Sequence, residues 1–243
     1  ELNDQQFADS ANSMMQFVDE PIADAAMIPL HYLSKIAGEK YKVALSGDGG
    51  DEIFGGYIKY SAQEYIEKTP LFIRNLLSKL LRSTNSPSLK RLACGLSSSF
   101  AERQFIFGSG GFLLEDLDLI LKDNHIDLKK IFLTVSSAPQ PFLNDPYLQS
   151  MYLDTQFQLP DWYLYKADRA TMANGVELRS PFLDHKIAEL SFSLTSSKHR
   201  KFMNRKIIPK QILEKRLPSH LVHRRKLGFA VKLDSWASSK PSD

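Results

Sequence analysis

Apolar residues recur at helical spacing through much of the chain. Ala26, Ile28, Leu30, Leu33 and Ile36 mark a largely helical stretch over 22–38. Pro29 lies inside it, positioned to kink or restart the helix, and Gly38 is placed to stop it. Tyr41-Lys42-Val43-Ala44-Leu45 breaks that rhythm. It is a short, mostly apolar run that ends abruptly in Ser46-Gly47-Asp48-Gly49-Gly50, the pattern of a buried parallel strand. The first turn of a helix is predicted over 51–54. Helix, strand, glycine turn and helix in succession predict an α/β fold. Beyond Tyr60 strand signals thin out, and the chain reads as predominantly helical. Helical spacing returns over 71–81, 113–121, 147–157, 164–172 and 184–194, then over 209–217 between Pro209 and Pro218. Residues 83–88 and 136–146 read as loops, and Ser180-Pro181 as a break. One parallel strand cannot pair both edges of its backbone ladder, so the strand over 41–45 needs partners that the pattern does not reveal in this chain.

Composition narrows the class. With 243 residues, 43% of them apolar and 24% charged, the chain has the makeup of a globular protein and not of a disordered one. No apolar run approaches the roughly 18 residues of a membrane helix, so no membrane partner is expected. The lone cysteine, Cys94, excludes a disulfide framework and a cysteine-built metal site, and suits a cytoplasmic protein. The acidic, polar start Glu1-Leu2-Asn3-Asp4 is no signal peptide, and with no initiator Met the chain is expected to be part of a longer one. The net charge of +3 conceals an asymmetry: between Lys198 and Lys226 eleven Lys/Arg face one acid, Glu214. Such a stretch suits a phosphate-bearing partner, whether a nucleotide or a nucleic acid, or an acidic surface elsewhere in the molecule.

Three segments could carry chemistry. Ser46-Gly47-Asp48-Gly49-Gly50-Asp51-Glu52-Ile53-Phe54-Gly55-Gly56-Tyr57 places glycines and carboxylates at the carboxyl end of the predicted strand, where open α/β sheets bind ligands. Glycines let backbone N–H groups approach a phosphate, a following helix start favours the same anion, and the carboxylates could hold Mg²⁺. Familiar nucleotide and calcium patterns fail on spacing. GxGxxG from Gly47 would need Gly at Glu52, a P-loop needs a Gly-Lys-Ser/Thr that is absent, and a calcium loop would need Gly at Ile53. The plainer alternative is a glycine turn with exposed acids. The second segment runs from Leu164 to Asp184 with Lys166, Asp168, Arg169, Glu177 and Arg179 as its charges; its plainer reading is an ion-pair network fastening two helices. The third, His223-Arg224-Arg225-Lys226-Leu227-Gly228-Phe229, could grip phosphate oxygens or be a solvated basic run.

SGDGGDEIFGGY at 46–57, the Asp19-Glu20-Pro21-x-x-Asp24 stretch, LYKADRATMANGVELRSPFLD at 164–184 and RRKLGF at 224–229 together resemble the synthetase domain of glutamine-hydrolysing asparagine synthetases. The resemblance spans about residues 19–229 and finds nothing to match over 61–145. It implies an adenine-nucleotide α-hydrolase-like (PP-loop ATPase) fold, of which 1–243 would be the C-terminal part. It also implies ATP-dependent amide formation with ATP and Mg²⁺. A carboxylate, aspartate or a similar one, attacks the α-phosphorus, pyrophosphate leaves, and ammonia drawn from glutamine displaces AMP from the acyl-adenylate. Carried over residue by residue, Lys226 would stabilise charge on the phosphates, assisted by Arg225. Ser46, Gly47 and Gly49, with Lys166 and Asp168, would bind the nucleotide, and Asp51 would hold Mg²⁺. Asp48 stands where the family commonly has Glu, a group that takes a proton from the attacking nitrogen; the shorter Asp could do so through a water.

Departures from the family pattern set further expectations. The pyrophosphate loop SGGxDS should precede the first motif, and nothing before Asp19 resembles it. Ser109-Gly110-Gly111-Phe112-Leu113-Leu114 comes after that motif and has Leu in the Asp and Ser slots, which makes it a decoy. The glutaminase half, with its N-terminal cysteine, is missing too. The chain is therefore expected to work with the missing N-terminal half of the same polypeptide, to be inactive alone, and to be compatible with a homodimer. Other readings are β-lactam-type ring closure by an internal amine, amidation of another carboxylate, and a non-catalytic nucleotide- or partner-binding module. Nucleic-acid binding through 198–226 is disfavoured, because only Phe202 and Phe229 offer stacking surfaces near the basic run.

Overall fold

The computed structural model describes residues 2–108, 142, 144–201 and 204–224. The expected helix over 113–121, the Ser109–Leu114 decoy and the motif residues Arg225 and Lys226 lie outside the described residues. The described residues are predominantly helical and divide into two compact units. Among them no helix is long and apolar enough to cross a membrane.

The first unit contains the residues up to Gly50, Leu159–Ala188 and the described residues from Pro209. It opens with α1 (Asp4–Met14), whose start is fixed by a capping box: Asn3 Oδ1 accepts from the Gln6 N–H while Gln6 Oε1 accepts from the Asn3 N–H. Helix α2 (Met27–Gly38) begins five residues later than its apolar pattern suggested. Pro29 consequently sits in the first turn, where a missing N–H costs nothing; of the two expectations, a kink or a restart, the helix start at Met27 fits the second. The helix does end at Gly38, without the left-handed backbone that glycine would allow; a Cβ there would come within 2.8 Å of the Asn174 carbonyl oxygen.

Strand β1 (Val43–Leu45) has a partner in this chain, in a segment whose pattern did not reveal it. It pairs in parallel with β2 (Glu177–Arg179), Val43 opposite Glu177 and Leu45 opposite Arg179. A strand of three residues with charges at both ends, Glu-Leu-Arg, carries no apolar run, so pattern alone could not find it. The reading of β1 as buried is also corrected: Val43 is 42% and Leu45 76% exposed. Two strands cannot enclose each other's faces, and parallel strands are ordinarily covered on both.

The crossover between the strands ends in α9 (Tyr165–Met172), which packs on α2. Met14, Met27 and Ala170 form the centre of this unit, with Val18, Ile22, Leu30 and Ala173 around them. Here α12 (Ile207–Glu214) and α13 (Ser219–Val222) complete the described part; α12 starts two residues before Pro209, which again falls in a first turn.

The second unit contains Asp51–Gln158 and Glu189–Ile208, as far as described. Its entrance is α3 (Gly50–Phe54), followed by α4 (Ile58–Lys68), α5 (Leu71–Arg82), α6 (Pro87–Ser97) and α7 (Phe100–Gly108). The loop expected over 83–88 is shorter than its composition suggested, because Ser86-Pro87 starts α6 with proline at its first position. Helix α8 (Pro146–Leu153) is capped by Asp145, whose carboxylate accepts from the Tyr147 and Leu148 N–H groups. From Asp154 to Leu164 the backbone is π-helical, with Pro160 inside it, in place of the continuous helix expected to 157. Then α10 (His185–Phe192) leads to α11 (Ser196–His199) and to β3 (Arg200–Lys201), which pairs antiparallel with β4 (Asn204–Arg205).

Tyr60, Tyr147, Leu148 and Met151 make the apolar centre of the second unit, with Phe142 and Phe192 packed on it. Beside it lies a buried polar network. The Lys59 ammonium meets Asp154 at 2.7 Å, and Asp154 also accepts from Tyr60 Oη (2.6 Å) and Gln104 Nε2 (2.7 Å). Arg103, fully buried, donates to Gln63, to Glu67 and to the carbonyl oxygens of Gly95 and Ser98. Every donor so buried needs an acceptor, and these helices supply them.

Candidate active site

The turn that leaves β1 is held open by the turn that leaves β2. Parallel pairing continues one step past the strands, since the Ser46 N–H donates to the Arg179 carbonyl (2.9 Å). There the two hydroxyls meet, Ser46 Oγ to Ser180 Oγ at 2.7 Å. The Gly50 N–H closes the turn onto the Gly47 carbonyl (3.2 Å). At Gly49 the backbone is left-handed (φ +79°), and the Leu183 side chain occupies the space where a Cβ would stand. Only glycine fits there, for both reasons. Gly47 is open, with nothing within 4 Å of where its Cβ would be, and Asp48 is partly buried. Two of the sequence motifs thus meet at the carboxyl ends of two parallel strands, the position at which sheets of this kind receive ligands. Helix α3, at five residues, is too short to add much field to the anion-binding role read into it.

Lys166 and Asp168 sit on α9 and are placed differently. Lys166 Nζ forms a 2.7 Å ion pair with Asp24, whose carboxylate also accepts from Trp162 Nε1 (3.1 Å) and the Ala26 N–H (3.0 Å). Burial alone would raise the Asp24 carboxyl; the Lys166 bond and charge, with the other donors, hold it below its ordinary value. Arg169 meets Asp19 at 2.8 Å, and Tyr165 Oη accepts from the Asp19 and Glu20 N–H groups. The Asp19–Asp24 stretch is therefore fastened to α9; the ion pairs join that helix to a non-helical segment and not the two helices that the plainer reading expected. Asp168 is exposed.

In the second unit, Asp51 Oδ1 lies 2.8 Å from Lys206 Nζ. Lys206 has a left-handed backbone (φ +55°), an uncommon conformation for a lysine, and no sequence signal marked it as a partner of Asp51. Glu52 is buried, accepts from Tyr57 Oη at 2.8 Å, and has its carboxyl raised chiefly by burial. Among the described residues no three His, Cys, Asp or Glu side chains cluster as a metal site. Mg²⁺ does not require such a cluster, because it commonly takes one or two carboxylates and completes its shell with phosphate oxygens and water. Asp51 fits that use if Lys206 yields its oxygen. Sequence reasoning singled out neither Ser180 as the contact of Ser46 nor Lys206 as that of Asp51; Ser180 stands inside the 164–184 motif, whereas no signal marked Lys206.

Comparison with known proteins gives one consistent answer. The family model described as asparagine synthase matches residues 1–242. A Mycobacterium tuberculosis protein provisionally named asparagine synthetase [glutamine-hydrolyzing] is 30% identical over 241 residues, covering 95% of this chain and 36% of that one. Asparagine synthetase [glutamine-hydrolyzing] 1 of Bacillus subtilis is 28% identical over 252 residues, 100% of this chain and 39% of the relative. The yeast Saccharomyces cerevisiae protein of the same name is 37% identical over 89 residues, 33% of this chain and 15% of its own. The chain spans little more than a third of the length of the two longer matches. No solved structure matches it. By the extent of the family match, the chain belongs to the asparagine synthase family.

Proposed function

We propose that this chain is the C-terminal part of the synthetase domain of an ATP-dependent carbon–nitrogen ligase. In this reading both units belong to that one domain, and the whole enzyme makes asparagine from aspartate with ammonia drawn from glutamine. The observation that carries the reading is the joining of motif residues Ser46 and Ser180 at the carboxyl ends of β1 and β2, in a chain matched by the family over 1–242.

In this reading the Ser46–Gly49 turn presents its hydroxyl and backbone N–H groups to the nucleotide. Lys166, Asp168 and Arg225 contribute to the same pocket. Lys226 stabilises the charge that develops on the α-phosphate and the departing pyrophosphate as the substrate carboxylate attacks. Ammonia then adds to the activated carbonyl, and Asp48 takes its surplus proton, directly or through a water, as AMP leaves. Asp51 would hold Mg²⁺, which supplies neutralising charge to the phosphate oxygens when bound. The partner is the N-terminal half of the polypeptide, which brings the SGGxDS loop and the glutaminase, and which would cover the exposed faces of β1. Location is cytoplasmic, with no nucleic acid or membrane partner, and a homodimer is compatible with it.

ATP–pyrophosphate exchange tests the reading. Aspartate-dependent exchange is expected from the parent polypeptide and at background from this chain alone. Lys226→Glu in the parent should abolish it; exchange indifferent to that change would overturn the assignment. Closure of a β-lactam-type ring would instead appear as exchange supported by an amino-bearing carboxylate and not by aspartate.

A further inference from the structure

Within the second unit, Gly55 and Gly56 each make room for a different side chain. Gly55 has a left-handed backbone (φ +67°), and the Tyr147 hydroxyl stands where its Cβ would be. The Asp51 carboxylate stands where a Cβ on Gly56 would be, with the Lys206 stem beside it. Between these two guests lies one peptide group. Its carbonyl, on Gly55, accepts from Tyr147 Oη at 3.0 Å, and its N–H, on Gly56, donates to the Asp51 carbonyl at 2.7 Å. The peptide is thus held from both ends, and the Asp51 carboxylate rests against its Gly56 end.

Tyr147 is built to hold that peptide still. It is fully buried near the start of α8, where its own N–H is capped by Asp145. Its ring meets Tyr60 edge-to-face, 5.7 Å between centroids, and the Arg200 guanidinium lies 5.3 Å from its centroid. Burial pushes the hydroxyl far above its ordinary ionisation range, so it stays a donor at neutral pH. A second hydroxyl reaches the same segment without touching this peptide. Ser191 Oγ, fully buried on α10, donates to the Ile53 carbonyl and so anchors α3.

We propose that Tyr147 is the positioning residue for the Asp51 carboxylate. By fixing the Gly55–Gly56 peptide, its hydroxyl sets where that carboxylate stands toward Lys206, and toward Mg²⁺ when the ion is bound. The inference rests on the role given to Asp51 under the proposed function. Mg²⁺ demands near-ideal geometry at about 2.0–2.1 Å, so a carboxylate that serves it tolerates little displacement. Lys206 cannot supply that fixity, because its ammonium sits on a flexible stem and its side chain is 31% exposed.

Two measurements test this. In the 243-residue chain, urea unfolding of Asp51→Asn, Lys206→Met and the double variant gives the coupling of the pair, with no nucleotide or metal present. Repeated with Tyr147→Phe, which keeps the ring, that coupling is expected to fall to about half or less. With Ser191→Ala the chain should lose stability while the coupling stays as it was. In the parent polypeptide, Tyr147→Phe should raise the Mg²⁺ concentration for half-maximal ATP–pyrophosphate exchange about fivefold, the equivalent of one lost hydrogen bond, with the saturated rate retained. A coupling undiminished by Tyr147→Phe, a coupling lowered equally by Ser191→Ala, or an unmoved Mg²⁺ requirement would each overturn the proposal. If instead Asp51→Asn leaves the parent's Mg²⁺ requirement unchanged, the role of Asp51 in the synthetase reading is what fails. The metal-free coupling then still decides whether Tyr147 holds the carboxylate.

Discussion

Ser46 Oγ and Ser180 Oγ stand 2.7 Å apart although 134 residues separate them in sequence. The contact ties the turn after β1 to the turn after β2, and one serine must donate while the other accepts. Removing either hydroxyl leaves its partner in a half-buried place with one fewer bond. Ser180→Ala is expected to lower stability by about 1 kcal/mol. In a double-mutant cycle with Ser46→Ala, a coupling of about 0.5–1.5 kcal/mol from urea unfolding would establish the pair; additive losses would show that the hydroxyls act separately.

What the sequence disclosed and what it hid follow from how each feature is encoded. The Ser46–Gly50 turn was legible because glycines are needed where backbone and neighbours crowd, as Gly49 against Leu183 illustrates. Helices α5 and α9 were legible from their apolar spacing. Strand β2 was not, since three residues with charged ends have no period to detect. The pairing of Asp51 with Lys206 was equally hidden: it joins residues 155 positions apart through a backbone conformation that lysine seldom adopts. The charges on α9 revealed the kind of network they form but not its partners, Asp19 and Asp24.

Gly56 makes room for the Asp51–Lys206 pair. A Cβ at position 56 would overlap the Asp51 carboxylate and the Lys206 side chain, and the Gly56 N–H itself donates to the Asp51 carbonyl at 2.7 Å. Gly56→Ala is expected to cost about 1–3 kcal/mol, the range for an inserted methyl that must displace packed neighbours. In an Asp51→Ala background the carboxylate is gone and the same substitution should cost markedly less. Thermal unfolding of the four variants reads the difference, and equal costs in both backgrounds would mean that the crowding is relieved elsewhere.

Lys59 and Asp154 are both almost wholly buried, so each is the other's compensation. Burial raises the Asp154 carboxyl, while the Lys59 charge and the bonds from Lys59, Tyr60 and Gln104 oppose that rise. Lys59→Met strands the carboxylate and is expected to cost about 3–5 kcal/mol at neutral pH. The loss should shrink on acidification, because the stranded group, its folded-state value raised further, takes up a proton more readily than the unfolded chain does. Lys59→Met with Asp154→Asn should recover much of the stability, since a neutral amide replaces the uncompensated charge. Urea midpoints at two pH values discriminate: a loss independent of pH would assign the effect to packing.

Asp24 is shifted the other way from Asp154, below its ordinary value. Its carboxyl would be raised by burial, yet the bond and charge of Lys166 and the donors Ala26 and Trp162 bring it below the ordinary 3.8. A group lowered on folding contributes stability that is fully present above its unfolded value and is lost as pH falls through the folded one. Lys166→Met removes the main opposing influence, so burial prevails and the folded value rises. At neutral pH the variant should be less stable by about 1–2 kcal/mol, the scale of a partly exposed charge-assisted bond. Below the ordinary 3.8 the difference should close, because the parent is by then losing the same contribution. Urea unfolding of parent and variant from neutral pH down to the acid transition measures the gap directly. A gap that stays constant would mean that the 2.7 Å contact between Lys166 and Asp24 contributes no electrostatic stability.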